Sequence, residues 1–132
     1  MLSEDKLAFL IADVSGKGVP AFLVMAIGKT MLKNFTEETG SIADAFRIVN
    51  NLLIENNSES MFITAFEGIL NLRTGELLYA NAGHEDPFVM RAGGTFELKK
   101  EKHSIVLGAM EDMRYKVHSM TLEPGDRLYI SV

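Results

Sequence analysis

The architecture follows from residues 7–20, which read Leu-Ala-Phe-Leu-Ile-Ala-Asp-Val-Ser-Gly-Lys-Gly-Val-Pro. The first six, Leu7–Ala12, are apolar and lie between Lys6 and Asp13, a pattern typical of a strand that is buried on both faces. The glycines that follow predict a tight turn. Pro20 suits the first turn of a helix, because its missing N–H has no helical partner there anyway. We therefore expect a strand, a turn and a helix in that order.

Two consecutive helices are predicted after the turn. The first runs from Ala21 to about Phe35, with one apolar residue per turn on one face, at positions 23, 27, 31 and 35. Thr39-Gly40 ends this helix, and Ser41 begins the second one, with Asp44 completing a weak capping box. Its apolar face is predicted to consist of Ile42, Phe46, Val49 and Leu53.

From Met61 onward the pattern changes to strands. Two hairpins are predicted, the first around Asn71–Gly75 with Gly75 in the left-handed conformation, and the second around Ala92-Gly93-Gly94. Tyr115–Thr121 alternates, and we place His118 on the polar side of that strand. The predicted strands after the helices are Met61–Leu70, Glu76–Ala82, Phe88–Arg91, Thr95–Leu98, Tyr115–Thr121 and Arg127–Val132.

This order predicts an α+β fold, an antiparallel β-sandwich with helices packed on the sheets. Because the sequence stops at Ile130-Ser131-Val132, inside a strand-like run, we expect residues 1–132 to be one partial domain. Strand edges left unpaired invite pairing with another copy. We therefore expect a homodimer or a domain swap through Arg127–Val132 or Leu7–Ala12.

The composition excludes several functional classes. Of the 132 residues, 47% are hydrophobic and 23% charged, as in a packed globular domain. The net charge of −5 and the lack of a Lys/Arg cluster disfavour nucleic-acid and anionic-membrane partners. The absence of cysteine excludes disulfides, zinc–thiolate sites and thiol catalysis. The apolar runs are too short to span a bilayer, and the first residues do not resemble a signal peptide, so we expect a cytoplasmic location.

Asp13 is the one residue that the pattern singles out for chemistry. A carboxylate at the end of a buried strand is costly unless a positive charge or a hydrogen-bond donor meets it. One side-chain oxygen and one backbone oxygen of such a turn can hold a hard cation. The alternative is an Asp that caps the turn, with glycines that serve its geometry alone.

A dinucleotide site is a competing interpretation of the same turn, because Gly16-x-Gly18-x-x-Ala21 follows a strand and opens a helix. That motif requires a second parallel strand ending in an acidic residue about twenty positions on. Here a second helix follows instead, which disfavours nucleotide binding.

Four segments in order resemble the bacterial serine phosphatases related to stage II sporulation protein E, a branch of the metal-dependent type 2C protein phosphatases. Each segment alone is a weak signal, but together they extend over nearly the whole sequence. The segments are Ile11–Ala21, Met61–Phe66, Thr74–His84 and Leu122–Leu128.

The resemblance implies that Asp13 bridges two divalent cations, manganese or magnesium, and that Val14 lends its backbone carbonyl. Such a metal pair promotes in-line attack of water on phosphoserine or phosphothreonine of a protein substrate. The family suggests a phosphoprotein antagonist of an anti-sigma factor as substrate, and a sensory domain on the full-length chain.

The sequence also departs from the family. The Gly-Asp motif before the strand of Asp13, the later Asp-Gly motif and a further ligating Asp are absent from the residues given. We therefore expect this chain to bind metal poorly and to show little or no phosphatase activity. A non-catalytic interaction domain, whose helices pair with a sister domain or a sensor, is the alternative.

His84 is a candidate base, although a turn histidine whose ring bonds backbone near Pro87 is favoured. The family usually has Asn after this histidine, where Glu85 and Asp86 stand here, and their role is open. Asp126, in Pro-Gly-Asp, is interpreted as a turn residue and not as a ligand.

Overall fold

The computed structural model describes residues 4–15, 18–56, 61–99 and 104–130. One strand is followed by two helices and six further strands. The elements are β1 (Lys6–Val14), α1 (Gly18–Thr39), α2 (Ile42–Asn56), β2 (Ile63–Asn71), β3 (Glu76–Ala82), β4 (Phe88–Met90), β5 (Phe96–Leu98), β6 (His118–Thr121) and β7 (Arg127–Tyr129).

The strands form two antiparallel sheets. The larger has the order β1-β2-β3-β6, and the smaller has the order β5-β4-β7. Successive side chains of a strand point to opposite faces. On the larger sheet, one face packs on α1 and α2 and the other packs on the smaller sheet. The predicted α+β sandwich, with helices packed on a sheet, is confirmed.

Each face of the larger sheet has its own apolar cluster. On the helix side, Ile63 and Ala65 of β2 pack with Leu32 of α1 and Phe46 of α2. Between the sheets, Phe66 stacks on Tyr79, with ring centroids 5.6 Å apart. The central strands are therefore buried on both sides.

The second helix agrees with its prediction. The four residues of its predicted apolar face are between 0% and 6% exposed. The Asp44 N–H donates to Ser41 Oγ at 3.2 Å, which confirms Ser41 as the cap. The hairpin turns are also confirmed, and Gly75 has a φ of 78°.

Three details of the prediction are wrong. Strand β1 is at the end of the larger sheet, so it is half-buried, and Leu7 is 38% exposed. On α1, Leu23 and Ile27 are 52% and 56% exposed, whereas Leu32 is fully buried. The apolar stripe was misplaced because α1 has apolar residues on several sides and a helix buries only the side that meets the sheet.

The third error concerns His118. Residues 118–121 pair with β3, but residues 113–117 leave the ladder, and Tyr115 packs edge-on against Phe46 at 5.5 Å. Met120 is the buried residue of β6, and the His118 ring, on the same side, lies 5.6 Å from the Tyr79 ring. His118 therefore shares with Met120 the face that meets the smaller sheet, and that face is not a polar surface.

Among the described residues, no helix has the length and apolar character needed to cross a bilayer.

Candidate functional site

Asp13 is the second-to-last residue of β1 and lies directly opposite Thr64 of β2. Its side chain leaves the sheet on the same side as Phe9, because the two are four residues apart on one strand. That side faces the smaller sheet, and Asp13 is exposed at its rim. Asp13 Oδ1 accepts a hydrogen bond from the N–H of Val14 at 3.0 Å. The carboxylate is thus at the surface and is not held by amides of α1 in the described part of the chain.

The main-chain carbonyl of Val14 points away from β2. Ile63, opposite Val14, exchanges both of its backbone hydrogen bonds with Leu107 on its other side. In an antiparallel pair, the N–H and C=O groups of such a residue and of its opposite neighbour point outward. The Val14 carbonyl and the Asp13 carboxylate are therefore both free of the β1–β2 ladder.

Ser15 fixes the turn that follows. Its N–H donates to the carbonyl of Phe62 at 2.9 Å, and its Oγ accepts from the N–H of Phe62 at 3.0 Å. This double contact ties the end of β1 to the start of β2. Gly16 and Lys17 lie outside the described residues, and Gly18, with a φ of 83°, begins α1.

The topology disagrees with a dinucleotide site. After β1 and the two helices, the chain returns in β2, which pairs with β1 antiparallel. A dinucleotide-binding turn belongs to a unit of two parallel strands joined by a helix. The named strands pair only in antiparallel fashion.

The loop after β3 reaches the same end of the larger sheet. Gly83 bridges to Ala65, next to Thr64, and has a φ of 72°. The N–H of His84 donates to Asn81 Oδ1 at 2.7 Å, and Asn81 Nδ2 donates to the carbonyl of Glu85 at 3.3 Å. The side chain of Asn81, which is 5% exposed, therefore holds the turn through these two hydrogen bonds, and we call this pair of bonds the Asn81 clamp.

His84 itself is buried, with 6% of its surface exposed and its ring 6.4 Å from the ring of Phe66. His84 lies in a turn, and its backbone amide donates to Asn81 Oδ1; the bond of its ring to backbone near Pro87 stays a prediction. Glu85 is exposed and Asp86 half-buried. Asn81 is not among the residues that the sequence singled out; its signal is an Asn two residues before Gly83-His84 at a strand end.

Asp126 is a turn residue, as predicted. Its Oδ2 accepts from the N–H of Glu123 and from Arg91 Nη1, both at 2.8 Å, and its Oδ1 accepts from the N–H of Ala92 at 2.8 Å. These contacts lower the pKa of the Asp126 carboxyl. Asp126 therefore joins the β4–β5 hairpin to the turn before β7.

The fit of these residues to a divalent metal is partial. Among the residues that the structure describes, no three His, Cys, Asp or Glu side chains come together in a way that would hold a metal ion. Magnesium requires an octahedral set of oxygen ligands. Asp13 and the Val14 carbonyl are two oxygen donors of the right chemistry, but they are not a complete site.

Comparison with known proteins gives consistent matches. The family described as Stage II sporulation protein E (SpoIIE) matches residues 3–131. Phosphoserine phosphatase RsbU of Bacillus subtilis is 32% identical over 127 residues, which are 96% of this chain and 38% of that protein. Protein IcfG of Synechocystis is 28% identical over 155 residues, covering 97% of this chain and 24% of that protein. The chain thus spans well under half the length of these relatives.

Solved structures agree on the fold. The RsbU and RsbW domains of Rv1364c from Mycobacterium tuberculosis superpose with a TM-score of 0.85 at 26% identity, over 96% of this chain and 35% of that one. The PP2C phosphatase domain of SpoIIE from Bacillus subtilis gives 0.81 at 20% identity, over 97% and 37%. RsbX in complex with magnesium gives 0.75 at 20% identity, over 96% and 59%.

Proposed function

The chain belongs to the stage II sporulation protein E (SpoIIE) family, and we propose on that premise that it is part of a metal-dependent protein serine/threonine phosphatase domain. The observation that carries the proposal is the exposed Asp13 carboxylate at the tip of β1, beside a Val14 carbonyl that points out of the ladder. An Asp that only caps a turn would not need an outward-pointing carbonyl beside it. A pair of hard oxygen ligands for a metal ion would need one.

In this proposal Asp13 and Val14 hold part of a site for two divalent cations, manganese or magnesium. When bound, such cations activate water toward phosphorus and neutralise charge on phosphoryl oxygens. The protein's own contribution is positional. The Ser15–Phe62 hydrogen bonds hold the Asp13 turn against β2, and the Asn81 clamp holds the neighbouring loop at the same end.

We further propose a phosphoserine or phosphothreonine protein as substrate, of the kind that antagonises an anti-sigma factor, and a sensory domain on the full-length chain. RsbU is named a phosphoserine phosphatase, and in Rv1364c an RsbU and an RsbW domain occur together. On this proposal the chain acts in the cytoplasm.

The proposal is tested by dephosphorylation of a phosphoserine protein with Mn²⁺, for the 132-residue chain and for the full-length product of its gene. We expect turnover by the full-length protein, and little or none by the chain alone, since only one of its described carboxylates is suitably placed. In the full-length protein, Asp13→Asn should lower kcat/KM about 100-fold or more. Asp44→Asn, an exposed change on α2, is the matched control. Equal activity of Asp13→Asn and wild type would refute the metal role.

An interaction domain is the second candidate, because part of α1 leaves apolar side chains uncovered. Phe22 is 71% exposed, Leu23 52% and Ile27 56%. In this alternative the helices pair with a sister domain or a sensor, and the form of it that sedimentation tests is pairing with a second copy. Sedimentation of the wild type and of Phe22→Ser/Ile27→Ser decides: a dimer that the variant loses supports the alternative, and a wild-type monomer at high concentration contradicts it.

A further inference from the structure

Glu67 is a carboxylic acid in the middle of an apolar sheet face. It lies on β2 between Ala65 and Ile69, in the row of side chains that faces the helices, and pairs with Leu10 on one side and Ala80 on the other. Only 2% of it is exposed. A buried carboxylate without a partner is unfavourable by several kcal/mol. The presence of an acid at this buried position therefore calls for a structural or functional explanation.

The Thr36 hydroxyl of α1, which is also buried with 1% exposure, lies close enough to Glu67 to act on the pKa of its carboxyl. Neither Glu67 Oε1 nor Thr36 Oγ1 has a hydrogen-bond partner in the described part of the chain. Burial raises the pKa of Glu67 to about 7, and the neighbouring Thr36 hydroxyl lowers it only in part. Two polar atoms with unused hydrogen-bonding capacity thus lie next to each other inside the protein.

Both atoms belong to residues that line a cavity of about 250 Å³ between α1 and β1. The strand side of its wall is apolar, with the side chains of Ala8 and Leu10 on the face of β1 that meets the cavity. The helix side carries Lys29, Lys33 and Glu37, which are exposed and follow one another at intervals of four residues along one stripe of α1. Neither lysine forms an ion pair with Glu67. The cavity has acceptors at its base, an apolar wall, and at its mouth the two positive charges of Lys29 and Lys33 beside the negative charge of Glu37.

We propose that this cavity binds a small molecule with N–H donors at one end, an apolar body, and a negative charge at the other end. The N–H groups would donate to Glu67 and Thr36, the body would lie on Ala8 and Leu10, and the anionic group would face Lys29 and Lys33. Water alone would satisfy the two polar atoms but would leave the apolar wall poorly solvated. The volume fits a molecule of one or two rings, since an apolar cavity of about 150 Å³ already holds benzene.

The site is separate from the Asp13 rim. Glu67 faces the helices, whereas Asp13 leaves the sheet on the side of the smaller sheet. The inference therefore does not depend on the proposed phosphatase activity, and either can fail alone.

Two sources share this ligand chemistry: a guanine nucleotide, with its ring N–H groups and its phosphate, and an aromatic amino acid whose ammonium and carboxylate groups lie at opposite ends of the ring. The test is titration calorimetry of the purified protein with guanosine 5′-monophosphate and, separately, with 4-(aminomethyl)benzoate. We expect one of the two probes to bind. Binding of neither probe at millimolar concentration would overturn the proposal.

Variants identify the location of binding. Glu67→Gln, which keeps the volume and removes the charge, should weaken the bound probe about tenfold or more. Lys29→Gln/Lys33→Gln should also weaken probe binding, because the anionic group of the probe loses its positive partners. Lys116→Gln, which changes an exposed lysine outside the cavity, should leave binding unchanged. Thr36→Val is the second variant at the base if Glu67→Gln does not fold. Probe binding that is insensitive to the base and mouth variants would show that it occurs elsewhere and would refute the site.

Discussion

The carboxyl group of Glu67 and the hydroxyl group of Thr36 are buried next to each other beneath α1, and neither Glu67 Oε1 nor Thr36 Oγ1 is hydrogen-bonded within the described residues. This arrangement joins the middle of the sheet to the helix that covers it. It has consequences for stability whether or not a ligand occupies the cavity, because the ionised form of Glu67 is less favourable there than the neutral form.

We predict that Glu67 makes stability fall as pH rises. Its pKa increases from an ordinary 4.5 to about 7 on folding, so the folded protein binds more protons than the unfolded chain between these values. The destabilisation that Glu67 causes is therefore nearly absent below pH 4.5. Above pH 7 it reaches its full size, a loss of about 3 kcal/mol in the free energy of unfolding. Glu67→Gln should remove it. Urea unfolding at pH 5 and pH 8 measures the difference.

The control for this prediction is Glu76→Gln, which changes an exposed acid at the start of β3. It should keep the pH dependence of the wild type. If Glu67→Gln also keeps that dependence, the carboxyl is not the group responsible.

Glu67 also shows what periodicity misses. The sequence predicts Met61–Leu70 as a strand, and the single acid within it enters no prediction, although the burial of an acid is costly. The faces of α2 were predicted correctly because one stripe of that helix is apolar. Those of α1 were not, since apolar residues on several sides leave the buried side to be decided by contact with the sheet.

The candidate site was predicted in part. The position of Asp13 at a strand tip could be read from the sequence, because an apolar run ends there and glycines follow. That the Gly83 loop lies at the same end as Asp13 depends on strand register, which a single sequence does not give. The burial of His84 depends on that register as well, and the metal role of Asp13 and Val14 stays a prediction.

Gly75 is predicted to tolerate no side chain. Its φ is 78°, and an added Cβ would lie 2.0 Å from the carbonyl oxygen of Leu122, whose N–H donates to the carbonyl of Gly75. Gly75→Ala should cost about 2 kcal/mol or more, from strain and from displacement of the segment that follows β6. Thermal unfolding measures this cost. Gly93→Ala is the matched control, since nothing lies within 4 Å of the added Cβ there, and equal melting temperatures of the two variants would contradict the prediction.

Asn81 is predicted to hold the loop at the Asp13 end. Asn81→Ala removes the acceptor of the His84 N–H and the donor to the Glu85 carbonyl, which should cost about 1–3 kcal/mol. Amide hydrogen exchange at His84 should accelerate. Asn81→Asp keeps the acceptor for the His84 N–H, so exchange at His84 should remain slower than in Asn81→Ala. The clamp would be disproved by unchanged exchange in both variants.

Asp126 is predicted to stabilise the contact between the β4–β5 hairpin and the turn before β7, because its buried carboxylate accepts hydrogen bonds from Glu123, Arg91 and Ala92. Asp126→Asn replaces one acceptor oxygen by an N–H₂ group that faces donors, and it should lower the melting temperature clearly at pH 7. Asp5→Asn removes an exposed ion pair with Arg73 at 3.7 Å and should have almost no effect, since such pairs contribute little.

The pH dependence of the melting temperature distinguishes the effect of the Asp126 charge on stability from the effect of its side-chain shape. Folding lowers the pKa of Asp126 from 3.8, so its stabilisation is complete above that value and is lost as pH falls through the lower folded-state pKa. The difference in melting temperature between wild type and Asp126→Asn should therefore be constant from pH 7 to about pH 5 and should shrink in stronger acid. If the difference stayed the same at the lowest pH at which the protein remains folded, the carboxylate charge would not be its cause, and the turn would depend on side-chain shape alone.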